Sequence, residues 1–397
     1  RRPPGTEELN AMRGLFDEGD TFYDGMDPFA AGARAVMEAI LQSPLFLYRL
    51  ELGEATGETP LSDYELAQRL SYALWNTMPD DALFAAAAAG ELTGEGLDAQ
   101  VDRILNAPRA KAQLLRFHTT LFDIERIRGV MPATALFPEV TSSLDESAMR
   151  EHELYVGMLW DEGKTYADLL TSTETFVDDE LARIYGLDGS FDSDFVRVDL
   201  DANQRRGLFT QVAFLASHAT STDPDPIHRG VFMAERIACI HIGAPPDDLT
   251  PLPAPEGRTN REVGESHTEG EGTTCRGCHK FTINPFGFVY ENFDAIGSYR
   301  TEDRGNQVNA AAAPSLGSEA TPVADGLELA DVMAAREDIH ACYVNHMVQF
   351  LRARVENRQI DYGINGRIGR RSQAENLSLK DVVKSIVTSK PFTHRSG

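Results

Sequence analysis

The stretch TTCRGCHK, residues 273–280, sets Cys275, Cys278 and His279 at positions i, i+3 and i+4. Only a helical turn brings residues at that spacing to one side of the backbone. The pattern therefore predicts helix here, with Thr273 or Thr274 at its N-cap. It also limits what that face can hold. Two thiols can form thioethers with the vinyl groups of a porphyrin while the adjacent imidazole reaches the iron, which is the C-x-x-C-H pattern of haem attachment. A structural zinc site needs four Cys or His ligands, usually as two close pairs, and the remaining cysteines, Cys239 and Cys342, stand alone. A thioredoxin-like dithiol follows a strand in a βαβ unit, whereas the residues before this pair read EGRTNREVGESHTEGEG. The residues favour one covalent haem c per chain, anchored by Cys275 and Cys278, with His279 as the proximal iron ligand.

The next twenty residues suit such a group. Phe281, Phe286, Phe288, Tyr290, Phe293 and Tyr299 crowd into one short segment of a chain that is 8% aromatic. A porphyrin needs flat apolar walls, and a dry shell tunes its potential. The INPFGF segment is expected to turn through Asn284 and Pro285 and lead the chain back across the ring. Arg229 is a candidate for a bidentate contact to a haem propionate. Asp223, Asp225, Glu291 and Asp294 either line a polar edge of the site or serve as caps and turns.

Helical periodicity dominates the rest of the chain and strand-like alternation is scarce, so the fold is expected to be mainly α, multi-module, with little β structure. In DPFAAGARAVMEAILQSPLFLYRLEL, Pro44 should divide a helix. Ser62 three residues before Glu65 forms a capping-box signature ahead of Leu66, Leu70, Ala73 and Leu74. Pro108 should separate a further pair of helices, and helical stretches are expected at 143–161, 203–217, 228–241, 338–353 and 379–388. Loops rich in Pro, Gly and Asp near 190–205, 243–260 and 301–327 suggest boundaries. They give an N-terminal helical module (1–57), a helical module (58–200), a haem c-binding module (201–310) and a C-terminal helical module (320–397).

With 62 acidic against 37 basic side chains the formal charge is −25, and nucleic acid, which needs a basic face, is not an expected partner. The longest apolar run, Ala82–Ala89, falls far short of the roughly 20 residues that cross a bilayer. The opening RRPPGTEEL lacks an initiator Met and reads as the remainder of something longer. DGSFDSDF lacks the Gly and Glu of a calcium-binding loop, and no hydrolase elbow, phosphate loop or zincin helix is present.

TTCRGCHKFTINPFGFVYENFDAIGSYR resembles the haem-binding module of planctomycete-type exported multi-module cytochrome c proteins, which are assembled from domains of unknown function. LQSPLFLYRLELGE, YELAQRLSYALWNTMPDDALFAAAAAGEL and FVDDELARIYGL are similar to the helical module of that family. STDPDPIHRGVFMAERIACIHIGAPPDDL is similar to the opening of its haem module, SLKDVVKSIVTSKPF to its C-terminal module and RRPPGTEEL to its N-terminal one. The resemblance implies covalent haem and export to the periplasm or cell surface, where thioether attachment takes place. In such an oxidising compartment Cys239 and Cys342 become candidates for a disulfide, with two buried free thiols as the alternative.

Function then turns on the sixth iron position. Its candidates are His267, His228, Met233, His346 and Met347. A Met or His there gives an electron carrier, and an open position gives peroxidase- or oxidase-like chemistry. Since one haem needs far fewer than 397 residues, a third reading is a haem-bearing subunit that docks a redox partner protein or a larger membrane-associated electron-transfer complex.

Overall fold

A computed structural model describes residues 2–51, 57–245, 250–355 and 362–396. The proline-punctuated 243–260 stretch falls partly outside them. The fold is mainly α, as expected. The strands among the described residues are pairs of two to four residues. The chain divides into two compact units, residues 1–110 with 387–397, and residues 111–386.

In the first unit, local signals set the helix ends. Asp27 accepts from Ala30 N to start Pro28–Gln42, and the chain breaks there so that Ser43 can cap Pro44–Leu47. The division expected at Pro44 is thus observed. Gly32 lets the Gly19–Phe22 turn cross this helix closely, since a Cβ on Gly19 would lie 2.4 Å from Gly32 Cα. Ser62 and Glu65 form both bonds of the capping box on Asp63–Trp75, which buries Leu66, Leu70, Ala73 and Leu74. Asp80 caps Asp81–Ala89 and also meets Arg103 of Gly94–Leu105 at 2.7 Å. Trp75 Nε1 donates to Ile104 O at 3.0 Å. Glu58–Pro60 pairs antiparallel with His394–Ser396, so the chain end closes this unit.

The second unit is built around Leu144–Asp161, whose residues from Tyr155 to Trp160 are all buried. The hairpin Glu174–Val177 with Val196–Asp199 lies beside it. The helix expected over 203–217 is shorter, Val212–Ser217, preceded by a 3-10 turn at Leu208–Thr210. Gly207 causes this: it sits at φ 63, where a Cβ would lie 1.9 Å from Leu170 O, and buried Arg205 donates to Thr210 O and Gly297 O. The 228–241 stretch begins earlier, at Pro226 capped by Asp225, and passes through a π-turn that ends at Ile237. Two residues on, Cys239 takes a left-handed φ of 52 and forms a disulfide with Cys342 of Glu337–Arg352, closing 103 residues with Cα atoms 5.7 Å apart. The bridged alternative for these cysteines is the one the structure carries.

Candidate functional site

Cys275–Cys278 forms a single α-turn that runs into a π-turn at His279–Ile283 and then the helix Asn284–Phe288. Neither threonine caps it with a side chain as expected. Thr274 is already helical, at φ −64 and ψ −29, and Thr273 Oγ1 donates to Gly270 O at 2.8 Å. The turn expected at Asn284 and Pro285 is also helix: the π-turn runs straight into it, and Phe281 O, the i−4 carbonyl that proline cannot bond, accepts from Ser315 Oγ at 3.1 Å. The chain reverses later, through Tyr290, Glu291 and Phe293, which donate backbone N–H groups to Gly287, Phe288 and Tyr290.

The helix Asn284–Phe288 is held tightly against Pro226–Phe232 by two glycines. A Cβ on Gly230 would lie 2.0 Å from Ile283 O, and one on Gly287 1.8 Å from Pro226 O. This contact fixes the floor under the CxxCH turn. Cys275 is half-buried and Cys278 exposed, both as free thiols. Phe286, Phe288, Tyr290 and Phe293 are buried below, with the Arg261 guanidinium 4.8 Å over Phe288 and the Arg205 guanidinium 5.1 Å over Phe293. Half-buried Pro285 lies among them. Phe281, three residues past Cys278, is 56% exposed.

His279 is held by a chain of hydrogen bonds whose direction is fixed from its far end. Thr268 Oγ1 donates to Gly264 O at 2.7 Å, so it accepts from Asn284 Nδ2 at 2.9 Å. Asn284 Nδ2 also donates to Glu269 Oε1 at 2.9 Å. The amide oxygen of Asn284 therefore faces His279 and accepts from Nδ1–H at 3.1 Å. In the neutral ring a proton on Nδ1 leaves the lone pair on Nε2, the form in which imidazole ligates a metal. The sequence marks Asn284 only as a turn residue. An Asn five positions after the histidine, on a helical path, is the signal that points to this role.

The charged residues singled out in the sequence take structural roles. Arg229 is fully buried and its terminal nitrogens donate to four carbonyls, those of Leu215, Tyr290, Phe293 and Asp294, at 2.9–3.2 Å. It is an internal clamp, and burial lowers its pKa to about 10. Asp225 caps a helix and meets His228 Nδ1 at 2.5 Å, holding that imidazole's pKa above its usual value by hydrogen bonding. Asp294 accepts from Ile296 N and Ser298 N in a turn. Glu291 is buried against Arg300 at 3.2 Å and Asn260, burial raising its pKa. Asp223 pairs with Arg304. All four acids thus serve caps, turns and ion pairs.

Among the sixth-position candidates, His267 Nε2 is 3.0 Å from Thr250 O and so donates to it. Met233 is buried with its sulfur 3.8 Å from Tyr290 Oη, Met347 is buried, and His346 Nε2 lies 3.8 Å from Cys239 Sγ.

Three family models match the chain, each described as a protein of unknown function: DUF1595 over residues 1–51, DUF1592 over 61–187 and DUF1588 over 205–303. Together they form the multi-module pattern of planctomycete-type cytochrome c proteins, and the DUF1588 match contains the CxxCH turn, Asn284 and the buried aromatics. No curated protein and no solved structure matches.

Proposed function

We propose that this chain is an exported mono-haem c-type cytochrome of the periplasm or cell surface that takes part in electron transfer. Cys275 and Cys278 would hold the haem by thioethers, and His279 Nε2 would ligate its iron. The observation that carries the reading is the directed chain from Gly264 O through Thr268 and Asn284 to His279, which engages Nδ1 and leaves Nε2 as the nitrogen open to a metal, beside two free thiols on one turn. A dithiol alone has no use for a histidine whose tautomer is fixed in this way. The bound group would supply a one-electron iron couple. The chain's own residues orient the imidazole, keep water from the buried side with Phe286 and Phe288, and leave the Cys278 edge exposed for a redox partner protein, alone or within a membrane-associated electron-transfer complex. No helix among the described residues is long and apolar enough to cross a membrane.

One observation favours a second reading, an oxidoreductase with an open distal position. His267 donates its Nε2 proton to a backbone carbonyl, and Met233 and Met347 are buried in the core. A visible spectrum of the exported, mature protein separates the cases. A c-type reduced spectrum that survives acid–acetone extraction supports covalent haem, and its loss in Cys278→Ser assigns the anchor. Insensitivity of the ferric band to cyanide supports the carrier, and a cyanide shift supports the open site. A chain exported alongside a working haem-ligation system that shows no Soret band overturns both readings.

A further inference from the structure

The Cys239–Cys342 disulfide stands in a setting that a crosslink alone does not require. Cys342 and His346 occupy positions i and i+4 of Glu337–Arg352, on one face of the helix. Cys239 comes to that face from the end of the π-turn Met233–Ile237 through its left-handed backbone. The two sulfurs and a ring nitrogen of His346 all lie within 4.8 Å of one another, with His346 Nε2 3.8 Å from Cys239 Sγ. Cys239 is exposed and Cys342 is 3% exposed, so one sulfur of the bridge is open to attack while the other is sheltered.

We propose that Cys239, Cys342 and His346 form a redox-gated metal site, closed as the disulfide and, once reduced, able to bind Cu(I). The opening step is thiol–disulfide exchange with a dithiol reductant. A reductant thiolate attacks the exposed Cys239 sulfur, the S–S bond breaks, and the departing Cys342 sulfur takes a proton. The reductant's second thiol then displaces Cys239. The products are two cysteine thiols and one reductant disulfide, with two electrons and two protons delivered to the protein. On metal binding both thiols release their protons to solvent, and two thiolates and one imidazole nitrogen donate to the ion without change in its oxidation state. Three soft-leaning ligands and no carboxylate in the cluster fit three-coordinate Cu(I), whereas structural zinc takes four ligands.

The test uses the full chain. Cys275 and Cys278 are first alkylated, or are already blocked by haem, while the disulfide protects Cys239 and Cys342. The protein is then reduced anaerobically with dithiothreitol, desalted, and titrated with Cu(I) against a chromogenic chelator. One Cu(I) per chain in the reduced form and none in the disulfide form is the expected result. His346→Gln, which keeps the disulfide and the fold by circular dichroism, is expected to weaken binding at least tenfold. Reduced protein that takes no Cu(I), that prefers Zn(II), or whose His346→Gln variant binds as tightly as the unaltered chain overturns the proposal.

Discussion

His279 owes its orientation to Asn284, whose amide oxygen accepts from its Nδ1. Replacing Asn284 with Ala removes the acceptor of its Nδ1 proton and leaves Thr268 and Glu269 without their amide partner. Orphaned buried polar groups cost about 1–3 kcal/mol. We expect that loss in urea unfolding, together with a mixed His279 tautomer in nitrogen-15 spectra of the haem-free protein. An unchanged single tautomer would show that Asn284 does not set it. Other buried titratable groups give the fold its pH dependence. Burial lowers His118 and His218 from 6.5 to about 4 and His152 to about 3. Between those values and 6.5 the unfolded chain binds protons that the fold refuses, so stability falls as pH drops through this window. Holding one such histidine near 4 corresponds to about 3 kcal/mol. Glu151 works in the opposite direction, since burial raises it from 4.5 to about 7 despite hydroxyl donors from Thr175 and Tyr185. Its carboxyl is favoured by acid between pH 4.5 and 7. The urea midpoint of Glu151→Gln should therefore fall more steeply from about pH 7 to about 4.5 than that of the unaltered chain. Parallel slopes for the two proteins would refute that assignment. The grouping of Cys275, Cys278 and His279 on one turn was legible because its spacing is local. Arg229 is fixed by carbonyls as far as 65 residues along the chain, and Asn284, which sequence alone left as a turn, is aligned by Thr268 and Glu269 as well as by His279.

Helix boundaries were legible where one residue decides them: Pro44, Pro108, which opens Pro108–Leu121 after Gly94–Leu105 ends, and the Ser62–Glu65 box each act within a single turn. Ser62→Ala should cost about 1 kcal/mol, seen as a lower urea midpoint with an unchanged slope. Boundaries set by packing were not legible. The 203–217 stretch has helical period, yet Gly207 must pass against Leu170 O and Arg205 must reach Gly297, and both partners lie far along the chain. The crossing of Pro226–Phe232 over Asn284–Phe288 has the same character. Glycines in HRGVF and NPFGF look like weak points in two short helices. In the fold they are where backbone meets backbone, and a methyl on Gly287 would overlap Pro226 O at 1.8 Å. Overpacking of this kind costs about 1–3 kcal/mol or more. Gly287→Ala should therefore destabilise residues 111–386 and separate the CxxCH floor from the helix beneath it, whereas Gly277→Ala, with nothing within 4 Å of its Cβ, should leave thermal unfolding unchanged. Equal effects at the two glycines would place the cost in helix propensity instead of the crossing.

At the scale of the molecule, connectivity carries stability that no local pattern displays. Closing 103 residues with the Cys239–Cys342 bridge restricts the unfolded chain by about 4–5 kcal/mol in the loop-entropy picture. The other long-range closure is non-covalent. Residues 387–397 belong to the same compact unit as residues 1–110. The α-periodicity of SLKDVVKSIVTSKPF could not reveal that return, because the partner strand Glu58–Pro60 lies near the other end of the chain. Phe392 is buried, Arg69 donates to the carbonyls of Phe392 and His394, Leu61 N donates to Thr393 O at 3.0 Å, and Lys390 meets Glu58 at 2.5 Å. Burying one phenylalanine contributes about 1.5–3 kcal/mol, and Arg69, only 10% exposed at its side chain, would lose two acceptors at once. A chain ending at Val387 should therefore unfold its first unit while retaining the second, whose own core and disulfide lie within residues 111–386. Limited trypsin digestion reads this directly, with rapid cleavage at Arg69, Arg103 and Arg109 and a persistent fragment spanning the rest. Protection of those three arginines in the shortened chain would mean that residues 1–110 fold without their C-terminal strand.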